Sequence, residues 1–535
     1  MSVTVQVSGG RPADDPDLAG LAAKLAAKDA TLWGPAAEPE ASVRLGWLDL
    51  PSSSEALLPQ LRDLRERVRA DGLDRVVLAG MGGSSLAPEV ITRTAGVDLT
   101  VLDSTDPHQV GAALRDRLER TVLVVASKSG STVETDSHRR AFEQAFRDAG
   151  LTENEVARRI VVVTDPGSPL HEEAEKAGYA VVLADPEVGG RYSALSAFGL
   201  TPSYLAGADV ERLLADARVL AGELTDDDNP AMLLGRALGQ QARAGRDKLV
   251  VADNGSGIVG FGDWAEQLVA ESTGKEGTGI LPVVVEGVDA PGFVGGGPDV
   301  HRLVLGPGRP GLDATSVSGS LGAQFLLWEY ATAVAGRVLG INPFDQPNVT
   351  ESKENTSAIL DESGGSLPAG EPALVDGAVE VHGDLAALGA PDDLTGVLRG
   401  LLDQVPDRGY LAVMAYLDRE GDDDAAGLRP LLARAAGQRQ VTFGWAPRFL
   451  HSTGQFHKGG PQVGVFLQVT GAVTTDVPVP GRPFTFGQLE MAQALGDQRA
   501  LAGRDRPVLR LHLTDRRAGL AQLLEAGEKT GGRGR

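Results

Sequence analysis

The stretch Thr121-Val122-Leu123-Val124-Val125-Ala126-Ser127-Lys128-Ser129-Gly130-Ser131-Thr132 decides the fold. Its first six residues are β-branched or apolar. They read as a strand buried on both faces, the pattern of a parallel sheet covered by helices. The hydroxyls that follow mark a strand-to-helix turn. At such a turn backbone N–H groups and short side chains form an anion nest, and the helix N-terminus adds positive potential. Lys128 offers a full charge. Further strands of the same kind read at 75–79, 99–102, 159–164 and 180–183. Helical stretches separate them, so the expected unit is a doubly wound α/β sheet.

The strand at 75–79 runs into Gly80-Met81-Gly82-Gly83-Ser84-Ser85, a second glycine- and serine-rich junction in the same sheet. Ligands of open α/β sheets bind at strand carboxyl ends, where both junctions lie. Neither has the spacing of a Walker loop, and the glycine set lacks the last glycine or alanine of a dinucleotide fingerprint. A second strand set reads at 247–253, 280–285 and 302–305, and a third at 410–416, 440–445, 463–469 and 508–513. The first 70 residues read as helical, residues 357–379 as a polar linker or loop, and the tail 529–535 as disordered. The expected class is α/β: two doubly wound units plus a C-terminal α/β segment. The units are taken as 1–225, 226–378 and 379–535.

Trp264, Leu268 and Glu271 follow i, i+4, i+7 spacing and share one helical face. Trp264 and Leu268 make that face apolar, so Glu271 is expected to point inward. A buried carboxylate needs a partner or a proton, and such a group suits proton transfer near neutral pH. The alternative is a structural ion pair with Lys275, one turn on.

The chain has 535 residues, 42% of them hydrophobic and 23% charged, a net charge of −23 and no cysteine. It is too long for one core. No apolar run spans a bilayer, and residues 1–10 carry neither a basic stretch nor an apolar core, so neither a membrane span nor a secretory signal is expected. The absence of cysteine excludes disulfides and thiolate chemistry. These features favour the cytoplasm. The acidic balance argues against nucleic acid or an anionic membrane as partner.

At this point the residues resemble a known family, phosphoglucose isomerase, built from two sugar-isomerase (SIS) units. The segments that carry the resemblance are Gly80-Met81-Gly82-Gly83-Ser84, Ser127-Lys128-Ser129-Gly130-Ser131-Thr132-Val133-Glu134-Thr135, Gly189-Gly190-Arg191-Tyr192-Ser193, Glu271-Ser272-Thr273-Gly274-Lys275, and the run from Asn342 to Lys353. The whole most resembles the isomerase half of actinobacterial transaldolase–isomerase fusions. The resemblance implies reversible isomerisation of glucose 6-phosphate and fructose 6-phosphate through a cis-enediol, a step of glycolysis and gluconeogenesis. It implies Glu271 as the base that moves the proton between C1 and C2, and Arg191 as the cation that stabilises the enediolate. Gly83, Ser84, Ser127, Lys128, Ser129, Thr132 and Thr135 would hold the phosphate. Gln346 would contact the sugar, and Lys353 would help open and close the ring. No cofactor and no metal is implied.

The ring-opening histidine of the family normally falls between the Glu271-type and Gln346/Lys353-type motifs. Here that interval holds only His301, outside the family context. The better match is Leu450-His451-Ser452 followed by Gly454-Gln455, with His457 close behind. Segment order therefore reads as permuted, with His451 the first candidate and His457 and His301 the others. In the family this histidine comes from a neighbouring subunit, which implies a homodimer. Two alternatives stand beside this reading: an isomerase that also takes mannose 6-phosphate, and a non-catalytic SIS sugar-phosphate sensor.

Overall fold

The computed structural model describes residues 3–13, 15–348, 350–363 and 370–531. A short strand, β1 (Val3–Gln6), precedes a sheet of β2 (Arg75–Gly80), β3 (Thr100–Leu102), β4 (Thr121–Ala126), β5 (Ile160–Thr164) and β6 (Ala180–Leu183). Its spatial order is β3-β2-β4-β5-β6 and every pairing is parallel. Side-chain alternation assigns its faces. Val76, Leu78, Val122, Val124, Val161 and Val163 enter one core, while Val77, Ala79, Leu123, Val125, Ile160 and Val162 enter another. Both faces are thus dry, which is why these strands carry no polar alternation.

The second sheet contains β7 (Lys248–Asp253), β8 (Leu281–Val285), β9 (Val300–Leu305) and β10 (Thr315–Gly319), in the order β1-β10-β9-β7-β8. β1 pairs antiparallel with β10, and the rest are parallel. Residues 1–70 are therefore not wholly helical. Their first described residues form an edge strand of the second sheet, because Val3 finds a buried place beside Gly319 that no local signal announces.

The third sheet holds β11 (Leu374–Asp376), β12 (Val379–His382), β13 (Tyr410–Tyr416), β14 (Gln440–Trp445), β15 (Gly464–Gly471) and β16 (Val508–Leu513), ordered β11-β12-β16-β15-β13-β14. Tyr410, Ala412, Met414 and Phe466 on one face share a core with Val250, Ala252, Leu281 and Val283 of the second sheet. The other face has its own core. The third sheet is therefore packed onto the second, not tethered to it. Two polar stretches also differ from expectation. Residues 357–363 close the helix Thr350–Ser363, and Leu374–Asp376 is a strand, so the expected linker contracts; 364–369 lie outside the described residues. Lys529 and Thr530 end the helix Arg516–Gly531, where Leu520 and Leu523 are buried; 532–535 lie outside the described residues. No described helix is long and apolar enough to cross a membrane.

The third unit meets the first through an apolar cluster, Val110 and Ala141 with Val479 and Phe486, and through a set of ion pairs. Arg448 binds Glu89 at 2.5 Å and Asp103 at 2.7 Å, Arg419 binds Glu89 at 2.9 Å, and Arg516 binds Asp106 at 2.6 Å. Burial pushes the Glu89 carboxyl up, but Arg448 and Arg419 outweigh it and hold the group at about 2.

Candidate active site

The glycines of the first junction exist for close approach. A Cβ on Gly83 would lie 2.0 Å from the Gly190 carbonyl oxygen. Backbone-to-backbone contact thus presses the Gly82–Ser84 turn against the turn that carries Arg191. A Gly83→Ala substitution must separate these turns. We expect it to lower activity and the thermal midpoint together, read by an activity assay and calorimetry.

Arg191 is buried and every donor is used. Its Nε donates to Ser272 Oγ (2.8 Å), and Nη1 to Glu271 Oε1 (3.2 Å) and Gln346 Oε1 (2.9 Å). Nη2 donates to the carbonyls of Pro343 (2.7 Å) and Asp345 (3.0 Å). Glu271 lies near the end of the helix Phe261–Thr273, on the face Trp264 and Leu268 share with the core. Its partner is Arg191 and not Lys275. The Lys275 ammonium reaches Asn342 O, Asp345 O and Asp345 Oδ1 at 2.6–2.7 Å. Burial, with Arg191 nearby, lowers its pKa to about 8 although Asp345 opposes the shift. Lys275 thus fastens the loop that presents Gln346, and the alternative Glu271–Lys275 pair does not form because the loop carbonyls take the ammonium.

The second oxygen of Glu271 accepts from Gln267 Nε2 at 3.1 Å, and the same amide donates to the backbone carbonyl of His451 at 2.8 Å. The His451 ring turns the other way: Nε2 lies 2.9 Å from Glu134 Oε1. His451, Glu134, Ser129, Ser131, Thr132 and Lys353 line one cavity of about 170 Å³. Burial pushes the Glu134 carboxyl up. Charge and hydrogen bonding from His451, with Lys353 beyond, prevail and bring it to about 2. A carboxylate only accepts, so the His451 Nε2 carries the proton and Nδ1 is left as the exchangeable nitrogen.

The phosphate-loop candidates divide. Ser129 and Thr132 face the cavity, and Ser127 Oγ lies 3.0 Å from Thr132 Oγ1 and accepts from Gly130 N. Thr135 is buried in the first turn of the helix Val133–Asp148 with its hydroxyl unpartnered. Ser84 is half-buried on the first junction. Lys128 is placed differently from expectation. Its ammonium sits 2.5 Å from Asp165 Oδ2 and on Pro186 O, so it is paired with a carboxylate and does not line the cavity.

The three histidines separate cleanly. His301 is buried on Thr315 Oγ1, away from the cavity, with burial lowering its pKa to about 4. His457 is packed among Tyr410, Phe449 and Phe466 with both ring nitrogens unpartnered, and burial holds its pKa well down. His451 alone of the three lines the cavity, and it does so from the same chain. No second copy is needed to bring it there.

A family model described as phosphoglucose isomerase matches residues 48–250. A glucose-6-phosphate isomerase of Rubrobacter xylanophilus is 31% identical over 397 residues, covering 60% of this chain and 90% of its own. The chain belongs to the phosphoglucose isomerase family. Another family relative, a glucose-6-phosphate isomerase of Symbiobacterium thermophilum, is 29% identical over 399 residues, with 60% of this chain and 87% of its own covered. Among solved structures, a hypothetical protein from Thermus thermophilus aligns with a TM-score of 0.53 at 26% identity, over 66% of this chain and 99% of that one. A glucose-6-phosphate isomerase from Chlamydia trachomatis aligns at 0.50 and 21% identity, over 61% and 74%, a likeness of fold.

Against the phosphoglucose isomerase motifs, sequence reasoning left three residues without a role. Glu134 stands inside a quoted motif, but an acid in the first turn of a helix is ordinarily a complement to the helix dipole. Gln267 shares the Glu271 helix one turn earlier, a spacing that would have shown it. Gln493 lies 359 residues from its partner Glu134, and nothing local marks it.

Proposed function

We propose that the chain interconverts glucose 6-phosphate and fructose 6-phosphate, with units near 1–225 and 226–378 forming the isomerase frame and 379–535 supplying the histidine. The observation that carries this reading is that one residue joins both halves of the site. The His451 carbonyl holds the amide that holds Glu271, and its imidazole meets Glu134 in the serine- and threonine-lined cavity. The hydroxyls of Ser127, Ser129 and Thr132, with the helix start at Val133, suit a phosphate. His451 and Lys353 then exchange protons with the ring oxygen and the C1 hydroxyl as the ring opens. Glu271 takes the C2 proton and returns it to C1. Charge that develops on the enediolate meets the Arg191 guanidinium, which cannot lose its proton. No observation favours the sensor or the mannose 6-phosphate alternative.

A coupled assay in both directions, with mannose 6-phosphate as a comparison, tests the proposal. Glucose 6-phosphate is expected to turn over and mannose 6-phosphate to lag. No interconversion of the first pair would overturn it.

The family resemblance implies a homodimer that lends the histidine. Since His451 arrives from its own chain, we expect specific activity to stay constant on dilution through any dissociation, measured from micromolar to sub-nanomolar protein. A fall with dilution would mean a second copy completes the site.

The docking acids set the pH limit. Glu134 and Glu89 both have folded pKa values near 2 against an ordinary 4.5. Their contribution to stability is present above 4.5 and is lost as pH falls toward 2. Acid is therefore expected to separate the third unit from the first, seen as lost activity before the far-ultraviolet circular dichroism collapses.

A further inference from the structure

We propose that Gln493 is a positioning residue for His451: it fixes the Glu134 carboxylate that orients the imidazole. Gln493 lies on the helix Phe486–Ala502 of the third unit, 3% exposed, and reaches the rim of the cavity. Its Nε2 donates to Glu134 Oε1 at 2.7 Å, and its Oε1 accepts from Thr105 Oγ1 at 2.7 Å. Thr105 follows β3 and is fully buried. The chain of contacts Thr105–Gln493–Glu134–His451 therefore starts in the first unit, crosses to the third, returns to the first and ends on the third.

Each link has one sense. An ionised carboxylate has no proton to give, so the amide must present its NH₂ to Glu134 and its oxygen to Thr105. Two donors, Gln493 Nε2 and His451 Nε2, then meet on the same Glu134 oxygen. That oxygen cannot swing away without losing both. The pair favours the charged carboxylate, and the charged carboxylate keeps the proton on His451 Nε2. Nδ1 is thereby kept as the nitrogen that exchanges a proton with the sugar. Gln493 itself touches no reacting atom in this scheme. Without it, Glu134 Oε1 keeps only the His451 donor and can swing, carrying the imidazole out of its fixed orientation.

The inference rests on the reading of His451 as the ring-opening acid and base, and the experiment separates the two. Gln493→Met keeps the volume and removes both hydrogen bonds. It is expected to lower kcat/KM about 10- to 100-fold, the worth of a charge-assisted hydrogen bond expressed as a rate. The acid limb of the pH profile should move upward. The primary isotope effect with glucose 6-phosphate deuterated at C2 should shrink toward one, as ring opening becomes limiting. A purely structural role would leave both readouts unchanged. His451→Ala should abolish the sensitivity, so that His451→Ala/Gln493→Met is no slower than His451→Ala alone. If Gln493→Met does not fold, Gln493→Glu keeps the shape and the Thr105 contact but sets a second carboxylate on Glu134. Its acid limb should move further up, since two close carboxylates share a proton. Wild-type kcat/KM and pH profile in Gln493→Met, additive losses in the double variant, or an unmoved acid limb in Gln493→Glu would each overturn the proposal. A His451→Ala enzyme with wild-type activity would instead overturn the reading of His451.

Discussion

Replacing Glu271 by glutamine is expected to lower kcat for isomerisation by about 10²- to 10⁴-fold, the usual worth of a positioned general base. The amide is isosteric, and its oxygen keeps the Arg191 Nη1 contact made at 3.2 Å by the carboxylate. The hydroxyl-lined cavity proposed for the phosphate lies apart, on Ser129, Thr132 and their neighbours. KM is therefore expected to hold within a few-fold while turnover collapses, the mark of a group needed in the transition state alone. Solvent deuterium should also stop entering recovered substrate. A Glu271→Gln enzyme that keeps wild-type turnover would remove this carboxylate from the chemistry.

Loss of Arg191 is expected to have the second largest effect, and on two quantities at once. The side chain is 3% exposed and serves five acceptors. Arg191→Met leaves Glu271 without its cation and strands the carbonyls of Pro343 and Asp345. Breaking a buried pair from one side costs about 3–5 kcal/mol, so the urea midpoint should fall clearly. Removing the positive charge proposed to meet the enediolate should lower kcat by about 10²- to 10³-fold. Arg191→Lys restores charge but not the fork. A single ammonium cannot span Ser272, Glu271, Gln346 and two carbonyls together. Lysine is therefore expected to recover part of the stability and little of the rate. Equal rescue of both by lysine would show that charge alone, not geometry, is what Arg191 supplies.

Much of the frame was legible because buried parallel strands write their pattern locally. β4 and β13 begin and end where their apolar runs do, and hydroxyls of the turn after β4 line a cavity. The inward aim of Glu271 followed from Trp264 and Leu268. What the sequence could not show was which charges satisfy one another. Lys128 looked like a phosphate ligand until Asp165 was seen beside it, and Lys275 looked like the partner of Glu271 until the Asn342–Asp345 carbonyls took it. Edge strands such as β1 and β11 are short and take their partners from far away, so no periodicity betrays them. The Leu450-His451-Ser452 motif already put His451 ahead of His457 and His301, and burial and neighbours separate the three.

The pairing of Glu134 with His451 joins residues 317 positions apart, and that with Gln493 joins residues 359 apart. Contacts so distant along the chain must wait for nearly the whole polypeptide to be made and collapsed. A nascent chain that has completed the first two sheets holds Glu134 and Glu271 but neither His451 nor Gln493. The cavity at Glu134 therefore stays unfinished until the third unit has emerged and docked.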